Sequence, residues 1–375
     1  VDWENVGRIS KDRYDESPEI MLKQDDILMT KDGTIGKIAY VDELPEPATV
    51  ASGVFVVRKD REELEQRYLW YYLKSHFFRH LIRYRTEGSV IPHLYQRDFV
   101  EMDIALPPVS EQKNIAGILF SLDEKIRLLK KENEKLNALS ELLFKHWFVD
   151  FNFPTKKGTP YLSTSGEMVS TEIGEIPKDW KTKSIFEIAE YINGSAFKQE
   201  DFEQDKEGAL PIIKIAELKN GITDQTCYTQ KVKDNRYLIG NEEIIFSWSG
   251  SPETSIDIFL WFGGKAILNQ HAFKVIPKKV YGKIWVYYQL KILKKFFIHL
   301  AKQKQTTGLG HVTIADLKSN LLPIPPEELI HEFNKKVEPM FQKVLLNRNQ
   351  IEELMKLRNT LIPKLISGIV RGDRK

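Results

Sequence analysis

Cysteine is almost absent from this chain: Cys227 stands alone among 375 residues, which excludes a disulfide framework and any cage of thiolates around a metal. Such usage fits a reducing compartment. Long apolar runs are missing as well, since no stretch approaches the roughly 18 uncharged residues of a membrane span, and no basic-then-apolar leader opens the chain. A soluble, cytoplasmic protein with no membrane partner is expected. Excess charge is also lacking, because 55 Lys and Arg against 53 Asp and Glu leave a formal charge of only +2. What is present is core-forming material: 42% hydrophobic and 11% aromatic residues in a length that suggests two or three domains.

The charge that exists is unevenly spread. Between Lys278 and Lys304 lie eight lysines and no acidic residue, and Arg67 to Arg97 carries Arg67, Lys74, Arg79, Arg83, Arg85 and Arg97 against Glu87 alone. Both stretches interleave aromatics, a composition suited to phosphate contacts. A solvated helix face would produce the same pattern.

An internal repeat organises the rest. At an offset of 218 residues, Leu106-Pro107-Pro108 falls on Ile324-Pro325-Pro326, His93 on His311, and Asp98-Phe99 on Asp316-Leu317. Small local gaps extend the match upstream, bringing Asp25-Asp26-Ile27-Leu28 onto Glu242-Glu243-Ile244-Ile245, and Tyr71-Tyr72 onto Tyr287-Tyr288. Phe77-Phe78-Arg79-His80-Leu81 likewise matches Phe296-Phe297-Ile298-His299-Leu300, and Arg83/Arg85 fall on Lys302/Lys304. The second copy opens near Gly174, so at that offset the first copy is expected to lack roughly 45 residues at its start.

After each Pro-Pro pair a helical period takes over. Its apolar positions are Ile115, Leu119, Leu122, Ile126, Leu129, Leu136, Leu143 and Trp147 in the first copy, and Phe333, Val337, Met340, Val344, Ile351, Leu354, Leu361 and Leu365 in the second. Alternating spacings of four and three, once polar gaps are counted, make a coiled-coil seam. Rods of about 38 residues would be about 57 Å long. If they pair antiparallel with position numbers summing to 480, ten layers close and Asn133 meets Asn347, a buried polar pair of the kind that fixes register. Pro363 sits against the last layer, since proline removes a helical hydrogen bond. Between the copies, residues 151–176 are rich in Pro, Gly, Ser and Thr and read as a linker.

Signatures of catalysis are weak. The Pro-Pro pairs lack the flanks of an amino-methyltransferase motif, and no phosphate-binding loop occurs. A nuclease-like trio of Asp205, Glu217 and Lys219 has no counterpart in the first copy. His76 and His80 are four apart on an expected helix, as zinc ligands can be, yet only His80 recurs, as His299, and packing is the simpler role. On residues alone, a DNA reader, an enzyme and a coiled-coil scaffold that reads no DNA all remain open, with the non-catalytic reader favoured.

The assembled motifs resemble the specificity (S) subunit of type I restriction-modification enzymes over nearly the whole chain. Pro107-Pro108-Val109-Ser110-Glu111-Gln112-Lys113-Asn114-Ile115 is similar to the family's Pro-Pro-x-x-Glu-Gln-x-x-Ile helix entrance; the second copy keeps Pro325-Pro326 without the Glu-Gln pair. Leu143 to Phe151 and Gly166 to Trp180 resemble its central junction. Asp26-Ile27-Leu28 to Gly33-Thr34-Ile35-Gly36-Lys37 resembles its two-glycine turn, from which Phe246-Ser247-Trp248-Ser249-Gly250 departs. The resemblance implies an α+β chain of two α/β target-recognition domains, each followed by a long helix, with the helices paired as an antiparallel coiled coil. The corresponding boundaries are 1–108, 109–150, 151–176, 177–326, 327–368 and a tail at 369–375. It also implies no catalytic residue, no metal and no cofactor in this chain. The partners implied are double-stranded DNA with a split, asymmetric site, two methyltransferase (M) subunits using S-adenosylmethionine, and restriction/translocase (R) subunits using ATP and Mg. A recognition subunit of another methyltransferase-based defence system is the neighbouring alternative.

For contact with DNA the candidates are polar and basic residues of loops, because Arg can address guanine and Asn or Gln adenine, while Lys more often holds phosphate. In the first copy these are Lys31, Thr34, Lys37, Arg83, Arg85, Ser89, His93, Tyr95 and Arg97. In the second they are Ser247, Trp248, Ser249, Ser251, Lys265, Asn269, Gln270, His271, Lys302, Lys304, Gln305, Thr306 and His311.

Overall fold

The computed structural model describes residues 1, 3–32, 35–86, 95, 99, 102–305 and 309–370, with side chains of 84–86 left aside. The chain divides into two compact units, Val1–Leu128 with Gln350–Lys375, and Leu129–Asn349. Each unit therefore contains one copy's α/β body together with part of both long helices.

In the first unit, α1 (Lys11–Asp15) precedes β1 (Ile27–Thr30), β2 (Ile38–Tyr40) and β3 (Val54–Val57), then come α2 (Gln66–Lys74), α3 (His76–Thr86) and the long α4 (Val109–Phe148). Strand β1 is central, antiparallel to β2 and to β3, with Met29 opposite Phe55. Ile27 and Met29 turn to a core with Tyr68, Tyr71, Leu73 and Phe78, while Leu28 and Thr30 are only half-buried, the alternation of a sheet covered on one face.

The second unit is larger. It contains β4 (Met168–Thr171), β5 (Gly174–Pro177), β6 (Lys181–Ser184), β7 (Ala189–Asn193), β8 (Leu210–Ile213), α5 (Ile215–Asn220), β9 (Tyr228–Thr229) and β10 (Leu238–Ile239). There follow β11 (Ile244–Ser247), β12 (Ser249–Gly250), α6 (Pro252–Ser255), β13 (Asp257–Leu260), β14 (Ala266–Leu268), β15 (Ala272–Pro277), α7 (Gly282–Ile292) and α8 (Lys294–Gln303). Finally come β16 (Gly310–His311), α9 (Ile314–Ser319), β17 (Leu321–Ile324) and the long α10 (Glu327–Ile366). Its main sheet runs β13-β11-β15-β7 and is antiparallel throughout. A second sheet, β10-β14-β8-β9, lies against the other face, so Ile244 and Phe246 join one core and Ile245 another. Burial on both faces explains why β11 is apolar without alternation until Ser247.

The repeat is a repeat of topology: β1, β2 and β3 correspond to β11, β13 and β15, and α2–α3 to α7–α8. It reaches single backbone angles, because Asp25 and Glu242, at matching positions before the central strands, have φ of 69° and 68°. The helix entrances also match. Glu111 and Gln112 donate main-chain hydrogen bonds to the Pro108 carbonyl, as Leu329 and Ile330 do to that of Pro326.

Both rods carry the expected seam. In the first unit Ile115 and Leu119 share a core with Leu361, Ile362 and Leu365. In the second, Asn347 Nδ2 donates to Asn133 Oδ1 at 2.9 Å, Ser140 meets Met340, and the Trp147 and Phe333 rings stand 5.8 Å apart. These pairs run in opposite directions along α4 and α10, each summing to 480, which is antiparallel pairing. Helix α10 continues through Pro363 to Ile366, and Leu365 stays buried, because a proline one turn from a helix end removes one ladder bond and no packing face.

Residues 151–176, read as a linker, are ordered: Phe153 stacks on Tyr161 at 4.6 Å and on Trp180 at 5.5 Å, and β4 pairs with β5. Pro, Gly, Ser and Thr shape tight turns as readily as loose chain, and the aromatics decide between the two.

Candidate nucleic-acid interface

The geometry at the exit of the central strand recurs in both units. In the second, Trp248 follows the last residue of β11 and its ring lies on Phe273 of β15, centroids 5.5 Å apart at 25°. Its main-chain N–H donates to the His271 carbonyl at 3.3 Å, and its Nε1 donates to Asn193 Oδ1 at 3.0 Å. In the first unit, Lys31 follows the last residue of β1, its Nζ sits 5.1 Å from the Phe55 centroid, and its N–H donates to the Gly53 carbonyl at 2.9 Å. Phe55 and Gly53 are each 218 residues before Phe273 and His271.

A hydroxyl fastens each exit loop. Thr30 Oγ1 accepts from the Lys37 N–H at 3.0 Å, and Ser247 Oγ donates to the Ser255 carbonyl at 2.6 Å. Gly36, at φ 77°, allows the first loop its turn.

Among the expected contact residues of the second copy, the structure brings Trp248, Ser249, Gln270, His271 and His311 together. Ser249 pairs with His311 across the β12–β16 ribbon, the Trp248 and His271 rings are 6.2 Å apart, and Gln270 Nε2 lies 3.4 Å from His271 Nε2. Gln270, His271 and His311 are exposed, so this cluster is a polar surface with an aromatic floor. Ser251 is exposed nearby at the start of α6, and Gln305 is exposed after α8.

Others fall elsewhere. Ser247 is fully buried and Asn269 is 8% exposed, its N–H donating to the Ile213 carbonyl, so both hold the scaffold rather than face a ligand. Gly194 packs so closely that a Cβ would stand 2.1 Å from the Asn269 oxygen. Lys265 lies beyond Leu260, whose partner is Ile244, at the opposite end of β11 from Trp248. In the first copy Lys37 and Arg83 are exposed, and Tyr95 is half-exposed. Thr34, Ser89, His93, Arg97 and Thr306, and the side chain of Arg85, lie outside the described residues.

The lysine-rich strip is largely neutralised by acids from other segments. Lys283 pairs with Glu242, Lys291 and Lys294 with Asp257, Lys302 with Glu253, and Lys304 with Asp316 at 2.5 Å. Burial pushes the Asp257 carboxyl up, but Lys291 and Lys294 outweigh it and hold it below the usual carboxylate value. Asp316 is lowered in the same way by Lys304 and by Thr313 against its partial burial. Lys278, Lys279 and Lys295 are exposed. A strip that is basic in sequence is thus mostly an ion-pair network in space.

Two residues show their roles only in the fold. Gln112, fully buried, accepts from the Glu65 N–H at 2.8 Å and donates to the carbonyls of Glu63 and Pro107, clamping the start of α4 to the turn before α2. Asp123 of α4 accepts from Tyr71 at 2.9 Å and pairs with Lys74 at 3.2 Å and with Arg358 of α10 at 2.5 Å. The Tyr71–Asp123 contact recurs as Tyr287 against Phe341, ring centroids 6.1 Å apart, so a charged joint in one copy is apolar in the other. Glu217, offered above as part of a nuclease-like trio, accepts from the Lys214 N–H and from Thr226, as a helix cap does. Among the described residues no group of three His, Cys, Asp or Glu is placed to hold a metal ion, and no helix is long and apolar enough to cross a membrane.

A family model described as "type I restriction modification DNA specificity domain" matches residues 3–138 and 177–356. The chain is 29% identical over 360 residues to the type I restriction enzyme MjaIX specificity subunit of Methanocaldococcus jannaschii, covering 92% of this chain and 78% of that one. It is 21% identical over 414 residues to the HindI specificity subunit of Haemophilus influenzae, covering 92% and 87%. The crystal structure of a type I restriction-modification S subunit from M. genitalium shares its fold, with a TM-score of 0.50, 18% identity and coverage of 92% and 84%.

Proposed function

The chain belongs to the type I restriction-modification DNA-specificity family, a family of recognition subunits rather than enzymes, and we propose from that premise that it reads a split, asymmetric DNA site. Each α/β body addresses one half-site with the surface around its strand exit, and the rods hold the two readers at a fixed spacing. The carrying observation is the duplication itself, in which one backbone frame presents Lys31 and Gly53 in one copy and Trp248 and His271 in the other. Identical frames with different faces suit two readers of unlike sequences.

The energetics favour two readers over one. A good base contact discriminates by about 1–3 kcal/mol, too little for a single short half-site to stand out in a genome, whereas two readers at fixed spacing add their discrimination. The rods are also where two M subunits dock in this reading, with S-adenosylmethionine bound by M, ATP and Mg by R, and the assembly working in the cytoplasm.

Mapping methylated adenines in cells that express the chain with its M partner tests this. A two-part motif with one gap length is expected; a single contiguous motif, or methylation unaffected by this chain, overturns the proposal.

A further inference from the structure

We infer that the residue leaving the central strand, Lys31 in the first copy and Trp248 in the second, is the base-reading position of each domain. This rests on the reading of the chain as a bipartite DNA reader and names where in each body that reading occurs.

One position and two contacts place the two residues in one frame. Each follows the last paired residue of the strand, each donates its main-chain N–H to the carbonyl of an equivalent residue, Gly53 or His271, and each lies over an equivalent ring, Phe55 or Phe273. Position, support and platform are therefore common to both copies, and only the presented group differs. A residue under purely structural demand would be held to one chemistry by an unchanged platform. Here an ammonium stands where the other copy has an indole.

The chemistry of each group then points to what it addresses. Lys31 presents up to three N–H donors. Its ammonium rests on the Phe55 face, an arrangement that holds a cation without consuming its donors. Guanine offers O6 and N7 acceptors in the major groove to such a group. Trp248 differs because its one donor is already spent on Asn193, so only apolar ring surface remains to be offered. An apolar surface at a base edge matches the thymine methyl. His271, where the first copy has Gly53, adds a polar group beside the indole.

The test uses the chain assembled with its methyltransferase subunits and reads the genome-wide methylation motif. Lys31→Met keeps an unbranched apolar stem over Phe55 and removes the donors; Trp248→Lys gives the second copy the first copy's group; Trp248→Phe keeps a ring on Phe273. Lys31→Met is expected to lower discrimination at one position of one half-site by roughly 5- to 150-fold, leaving the other half-site and the gap unchanged. Trp248→Lys should change one position of the opposite half-site, and Trp248→Phe should retain the original motif. Uniform loss of methylation with an unchanged motif, or change in both half-sites from one variant, overturns the inference. Failure of the broader reading looks different, because the unaltered complex would then show no two-part motif at all.

Discussion

A single carboxylate joins three elements of the first unit. Asp123 holds Lys74 and Tyr71 of α2 and Arg358 of α10, with side chains between 17% and 24% exposed for the charged trio. Burial raises the Asp123 pKa, but Lys74 and Arg358 outweigh it and the carboxyl ends below its usual value. Lys74 is lowered, chiefly by burial and in part by Arg358, against the pull of Asp123. A depressed carboxyl stabilises the fold fully above its unfolded value near 3.9 and loses that contribution as pH falls through the lower folded value. Asp123→Asn should therefore cost about 2 kcal/mol at neutral pH, less than a fully buried broken pair, and the gap from the unaltered chain should close in acid. Urea unfolding across pH 2 to 7 checks this, and a gap that stays constant with pH would assign the loss to shape rather than charge. Gln112 is the neutral counterpart, three hydrogen bonds from one amide at the helix entrance. The Glu-Gln pair of the motif is legible in the sequence, yet its clamping role is not, because its partners Glu63, Glu65 and Pro107 are ordinary residues whose main chain does the bonding.

The long helices show what spacing alone specifies. Apolar residues at alternating four and three steps demand a partner seam, and two such seams of equal length make the antiparallel solution with numbers summing to 480 self-consistent. Within the second unit Asn133 and Asn347 pair their buried amides across the seam, a contact that favours this register at a cost in stability. The rods should act as a ruler. Adding one heptad to each, opposite one another so that the layers stay in phase, is expected to lengthen the gap in the methylation motif by about 3 base pairs, since seven residues span about 10.5 Å and a base pair about 3.4 Å. Both half-sites should stay the same; an unchanged gap would mean that something other than rod length sets the spacing. The short elements were less legible. Residues 151–176 have the composition of a loop, and their order comes from the stacking of Phe153 between Tyr161 and Trp180 and from the β4–β5 pairing.

Across the whole molecule, charge is the property that the sequence misplaces. A run of lysines without acids suggests a phosphate-binding strip, but Asp257, Glu253, Asp316 and Glu242 arrive from other parts of the chain and take five of the eight. Lys304 is accordingly a structural cation. Lys304→Ala is expected to lower stability by about 1 kcal/mol, as for a partly exposed pair, and to leave the salt slope of DNA binding unchanged, because that slope counts phosphates neutralised. A flatter slope would show that Lys304 leaves Asp316 for the backbone of DNA. The sequence by itself determined the duplication, the helix entrances, the seam and its asparagine layer, because each is a spacing, and spacing is what a chain carries before it folds. Only the tertiary structure decided which polar residues face outward, which lysines are already paired, and that Lys31 and Trp248 share one place on one platform. Those depend on segments far apart in sequence meeting in space, as Phe55 meets Lys31 and Phe273 meets Trp248.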